Sequence, residues 1–102
     1  MQDLHNKSTD RLFKVIAELK TEEECYAFFE DLCTIKEIQD MAQRFDTAVL
    51  LDMGQRYNEI ADEVGVSTAT ISRVNRCLEY GAGGYRNAID KMKKREKKNG
   101  NK

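Results

Sequence analysis

Apolar residues recur every three or four positions along most of the chain, and nowhere do they alternate with polar ones over a useful length. That period belongs to amphipathic helices, not strands. Leu12, Val15, Ile16 and Leu19, with Phe13 beside them, predict a first helix from about Thr9 to Lys20, after a frayed segment 1–8. Cys25, Phe28, Phe29 and Leu32, with Tyr26 at the edge, predict a second. Thr21 with Glu24, and Thr34 with Glu37, have the spacing of capping boxes, in which each side chain satisfies a backbone N–H near the other. They place the starts of the second and third helices. The third is expected from Ile35 to Met53, apolar at Ile38, Met41, Ala42, Phe45, Val49 and Leu50, widened by Ala48 and Leu51, and stopped by Gly54. So wide an apolar surface is more than one small neighbour covers. The helix is either the centre of the core or meets a second subunit, and the two are compatible.

The segment YNEIADEVGVSTATISRVNR, residues 57–76, reads as two helices joined by a turn of about three residues. Ile60, Ala61 and Val64 make one apolar face, and Ile71 and Val74 another. Gly65 stands where a helix ends in a left-handed residue, and Ser67 where a hydroxyl caps the next one. Packing these faces together leaves Ser67, Thr68, Thr70, Ser72, Arg73 and Arg76 on the outer side. Small hydroxyls near a helix start with arginines further along are what a helix-turn-helix presents to the major groove of DNA. A plain helical hairpin inside a core needs the same apolar positions. The outer face separates the two readings: no carboxylate occurs from Ser67 to Arg76, in a chain of which 34% is charged. Beyond it, Gly81-Ala82-Gly83-Gly84 is a connector, since the strand, lysine and hydroxyl of a phosphate-binding loop are absent. A last helix from Tyr85 to about Glu96 carries Tyr85, Ala88, Ile89 and Met92 on one face, and residues 97–102 end in a basic tail.

Composition sharpens this picture in two ways. The net charge of −1 conceals a division: residues 1–65 hold 7 basic and 15 acidic side chains, residues 66–102 hold 10 and 3. The basic half opens just before the proposed recognition helix, as a chain that meets nucleic acid with one end would have it. The 102 residues suit one domain with a marginal core, which favours self-association. No apolar run approaches the ~20 residues of a membrane span, and the start lacks the pattern of a signal peptide. Cys25, Cys33 and Cys77, odd in number and without a CxxC pair, suit buried free thiols in a reducing cytoplasm. With His5 the only histidine, no zinc site is expected.

Laid out in this order, the six predicted helices resemble the Trp-repressor family, most closely its YerC/YecD-type branch of regulators. The resemblance covers about Leu12 to Met92 and is most specific in DLCTIKEIQDMAQR and STATISRVNRCL. It implies an all-α, intertwined homodimer whose early helices, within residues 9–54, interlock with those of a second copy. It further implies two helix-turn-helix units on a palindromic operator, with half-sites about one turn, ~34 Å, apart. The family's namesake takes tryptophan as corepressor, and the resemblance maps a possible effector pocket onto Thr34, Arg44, Arg73, Val74 and Cys77. Two of these depart from the pattern: Val74 stands in place of a glycine under the indole ring, and Cys77 in place of a serine near the amino group. A branched side chain takes the ring's space, and losing a hydroxyl from a charged ammonium costs about 1 kcal/mol or more. Tryptophan is therefore not expected to bind, and the sequence names no other effector. Plainer roles exist for the rest: Thr34 as a helix cap, Arg44 as the partner of Asp40 one turn before it, Arg73 on DNA.

The expectation is a sequence-specific, dimeric transcriptional regulator of double-stranded DNA, a repressor by family analogy, without metal or cofactor. Ser67 and Thr68 would hold phosphates, and Thr70, Ser72, Arg73 and Arg76 would reach base edges. The alternative is an adaptor whose helix-turn-helix docks a protein partner. Catalysis is not expected, because no nucleophile, base and metal set is clustered and Asp62–Glu63 reads as solvated helix surface.

Overall fold

The computed structural model describes residues 4–100, with side chains through residue 98. Residues 1–3 of the expected frayed start, and residues 101–102 of the expected tail, lie outside the described residues. Six α-helices and no strand occur among those described: α1 Lys7–Ala17, α2 Glu22–Leu32, α3 Ile35–Asp52, α4 Tyr57–Val64, α5 Thr68–Tyr80 and α6 Gly84–Gly100. The chain divides into two compact units, residues 1–38 and 39–102.

In the first unit, α1 begins two residues earlier than its apolar period announces. Asn6 is the reason: its side chain accepts the Thr9 N–H at 2.9 Å, and the Asn6 N–H donates to the Thr9 hydroxyl at 3.2 Å. The helix also stops at Ala17, short of Lys20. The Lys20 N–H donates to Glu24 Oε1 at 3.0 Å, so the cap of α2 claims a residue that α1 would otherwise take. Thr21 Oγ1 accepts from the Glu24 N–H at 3.1 Å. At the head of α3 the box is complete, the Glu37 N–H donating to Thr34 Oγ1 at 3.1 Å and the Thr34 N–H to Glu37 Oε1 at 2.8 Å. Neither α1 nor α2 buries any residue fully. Phe28 and Phe29 meet edge to face, yet Phe13, Leu32 and Ile35 remain 58, 49 and 74% exposed. Between α1 and α2 lies an open groove of about 390 Å³ walled by Leu12, Val15, Phe28 and Leu32.

The second unit holds the closed core. Ala48, Val74 and Ile89, from α3, α5 and α6, form its centre, with Phe45, Val49, Leu51, Leu78 and Tyr85 packed around them. Ile60 of α4 and Ile71 of α5 are fully buried, and these two helices pack on each other. Thr47 is the one buried polar residue among those described, and its hydroxyl is satisfied by the Gln43 carbonyl one turn back, at 2.7 Å. At the end of α3, Asp52 receives both Arg86 and Lys93 of α6. Those two cations, Lys93 foremost, hold its carboxyl below the usual carboxylate range, and the hydrogen bond from Arg86 to the Asp52 carboxylate raises Arg86 in turn. The helix α6 runs past Glu96 to Gly100. Its Lys, Arg and Glu residues are good helix formers, nothing breaks the run before Gly100, and Lys97 and Lys98 complement the negative helix end.

Candidate nucleic-acid interface

The corner between α4 and α5 is set by one glycine and one hydroxyl. Gly65 takes φ +83°, a left-handed conformation that glycine adopts without a Cβ penalty, and its N–H closes on the Ala61 carbonyl at 2.9 Å. Two residues on, Ser67 Oγ accepts the Thr70 N–H at 3.1 Å and starts α5. From α3, the Gln43 amide reaches the Val64 carbonyl at 3.5 Å, tying the end of α4 to the long helix.

The faces of α5 follow from this start. Ile71 and Val74 point into the core at 0 and 2% exposure, with Leu78 half-buried on the same side. Ser72, Arg73 and Arg76 lie exposed on the opposite side, and Ser67 and Thr68 are exposed at the N-terminal end. Thr70 differs from the rest. It is half-buried at the edge of the helix, its Oγ1 accepts the Ser67 hydroxyl at 3.1 Å, and it borders a notch of about 280 Å³ with Asp40, Gln43, Arg44, Gly65 and Val66. Ala69 takes its place on the outward side, a residue that sequence reasoning passes over because it is neither polar nor large. The helical period alone puts it between Ser72 and Arg73 on the exposed arc. A small apolar group there suits contact with a thymine methyl. Tyr80, 82% exposed, extends the same side by two turns from Arg73.

The neighbouring surface has the opposite sign. Glu59, Asp62 and Glu63 are exposed on α4. Phosphates are repelled there, so the polyanion-compatible side of this helix pair is that of α5. The first carboxylate along α5 is Glu79, beyond both arginines.

The residues mapped to an effector pocket are spread over both units. Thr34 belongs to the first, where it caps α3. In the second, Arg44 is exposed beside the notch, Val74 is embedded with Ala48 and Ile89, and Cys77 is exposed. All three thiols are free, but none is buried as expected: Cys25 and Cys77 are exposed and Cys33 is half-exposed. Cys25 lies on the uncovered face of α2, and Cys77 lies off the inner side of α5. Among the described residues no group of three His, Cys, Asp or Glu side chains is placed to hold a metal, and no helix is long and apolar enough to cross a membrane.

A family model described as Trp repressor protein matches residues 7–93. The chain belongs to the Trp repressor family. It is 54% identical over 93 residues to YerC of Bacillus subtilis (strain 168), itself uncharacterized, spanning 91% of this chain and 89% of that one. Its fold is that of a TrpR-like protein from Eubacterium eligens ATCC 27750, with TM-score 0.84 and 46% identity over 87% of this chain and 92% of the other. A candidate Trp repressor from Staphylococcus aureus gives the same TM-score and identity over 88 and 90%. Membership in the Trp repressor family supports a DNA-binding transcription regulator, the function class to which the outward face of α5 also points.

Proposed function

We propose that this protein is a cytoplasmic, non-enzymatic repressor that binds a palindromic operator as a homodimer and does not respond to tryptophan. The observation that carries the reading is the outward side of α5, where Ser72, Arg73 and Arg76 stand exposed with no carboxylate among them. Arginine paired to guanine O6 and N7 is the commonest specific base contact and contributes ~1–3 kcal/mol of discrimination. The hydroxyls of Ser67 and Thr68, at the positive end of α5, suit phosphate oxygens.

Support for a pair of chains comes from the first unit, where no apolar side chain of α1 or α2 is fully buried and Phe13, Leu32 and Ile35 stay exposed. Exposed apolar surface of that kind is characteristic of an interface. Support for independence from tryptophan comes from Val74, 2% exposed in the core.

The test is selection of genomic fragments on the purified protein, followed by sequencing of what is retained. A palindromic consensus is expected from the wild type. Arg73→Ala with Arg76→Ala is expected to erase the preference while the dimer stays folded. Retention of the same fragments by the double variant at moderate salt would show that another surface reads DNA. Millimolar tryptophan is expected to leave both retention and thermal stability unchanged.

A further inference from the structure

The helix α6 does two different things along its length. Through Met92 it packs: Ile89 is fully buried, and Tyr85 and Met92 are half-buried on the same side. The family match ends at residue 93, but the helix runs on to Gly100, ~10 Å further at 1.5 Å per residue. Nothing beyond Met92 is buried among the described side chains. What this extension carries is charge. Lys91, Lys94, Arg95 and Lys98 are all exposed, and at 100° per residue they fall within ~100° of arc, on the side away from Ile89 and Met92.

These four cations have no carboxylate partner among the described residues. The ion pairs of α6 use Arg86 and Lys93, both spent on Asp52. Of its two acidic residues, Asp90 borders the strip one turn before Lys94 and also acts on Arg86 one turn earlier, while Glu96 lies on the Met92 side. Within the strip, Lys91–Arg95 and Lys94–Lys98 are like charges four apart, and Lys91–Lys94 and Arg95–Lys98 like charges three apart. Such pairs oppose the helix that holds them. The negative helix end offsets part of that repulsion, and a polyanion laid along the strip removes the remainder.

We infer that Lys91, Lys94, Arg95 and Lys98 form a second DNA-binding strip, which grips backbone phosphates without reading sequence. The inference rests on the proposed DNA-binding function and divides the labour within it: α5 selects the site, and the strip of α6 adds affinity for any duplex. Phosphate contacts of this kind position a protein and make its affinity depend on salt.

The experiment titrates salt against the binding of the full chain to random-sequence duplex DNA and to a fragment recovered by genomic selection. The variant Lys91→Gln/Lys94→Gln/Arg95→Gln/Lys98→Gln keeps good helix formers and removes four charges. It is expected to weaken binding to both duplexes alike and to make log K against log salt shallower by ~0.9 for each phosphate that the protein no longer neutralises. The ratio between the two duplexes should stay within twofold of the wild type. Lys94→Gln/Lys98→Gln should give about half the change, and circular dichroism should show helicity intact in both variants. An unchanged slope in both variants overturns the strip while leaving α5 as the reader. A changed ratio with unchanged slope overturns it too, since the residues would then be reading sequence. Wild-type protein that binds phosphatidylserine vesicles but retains no fragment in the selection and does not bind random-sequence duplex overturns both the strip and the proposed function.

Discussion

The two units differ in how far each satisfies itself. From α3 onward the chain closes its own core, with Ala48, Ile60, Ile71, Val74 and Ile89 at 0–2% exposure. From α1 to the head of α3 it makes helices of comparable quality, each with a side-chain cap, and yet buries nothing fully. Local propensity and capping are therefore enough to write a helix but not to place it. Capping contributes about 1 kcal/mol per helix end, whereas a buried aliphatic side chain contributes several times as much once it is closed in. The unit that lacks closure is the one whose apolar groove, between Leu12, Val15, Phe28 and Leu32, is open to another molecule.

The largest effect should fall in the closed unit. Ile71→Ala removes a fully buried side chain from the inner face of α5 and should lower stability by about 2–5 kcal/mol, measured by chemical denaturation. Phe13→Ala, at 58% exposure, should cost little within a single chain. If Phe13 is covered by a second copy, the destabilisation shows only as concentration-dependent unfolding.

Next comes the open unit itself. Phe13→Asp with Ile35→Asp puts two carboxylates on its uncovered surface. Sedimentation should move from dimer towards monomer while the helices of the second unit keep their circular dichroism signal. An unchanged dimer would place the interface elsewhere and remove the contrast between the units.

A smaller effect sharpens the comparison from the other side. Asp52 fastens the end of α3 to α6, and its pKa is lowered by Lys93 and Arg86. A depressed carboxyl contributes stability that is fully present above the unfolded-state value of about 3.9 and is lost as pH falls through the folded-state value. Both cations are about half exposed, so solvent screens the pair and Asp52→Asn should cost only about 1 kcal/mol near neutrality. That corresponds to a drop of roughly 4–8 °C in Tm. The variant should also lose part of the acid limb of stability, which a pH series of thermal melts would show.

What the sequence discloses, and what it withholds, follows the same division between local and distant. Gly65, Ser67 and the Thr34–Glu37 box act within four residues, so their types and spacing announce them. Val74 is legible as a core residue by period. The start of α1 escapes because Asn6 and Thr9 cap without the acidic partner of the familiar pattern, although asparagine at that place is itself a good N-cap. The Asp52 clamp joins residues far apart in the chain, and no local pattern encodes it. Thr47 hides in an apolar stripe because its hydroxyl is satisfied by its own helix. On α5, Arg73 and Arg76 can be read as outward-facing, but the half-burial of Thr70 depends on the notch beside α3 and emerges only once that helix is in place.

Repression of a palindromic operator requires α5 to be shown to DNA twice, by a paired molecule. Footprinting on a fragment recovered by genomic selection measures this directly. Two protected half-sites of related sequence, centred about one helical turn (~34 Å) apart and both abolished in Arg73→Ala, are the predicted result. One undivided protected patch, or two that persist in that variant, would contradict it.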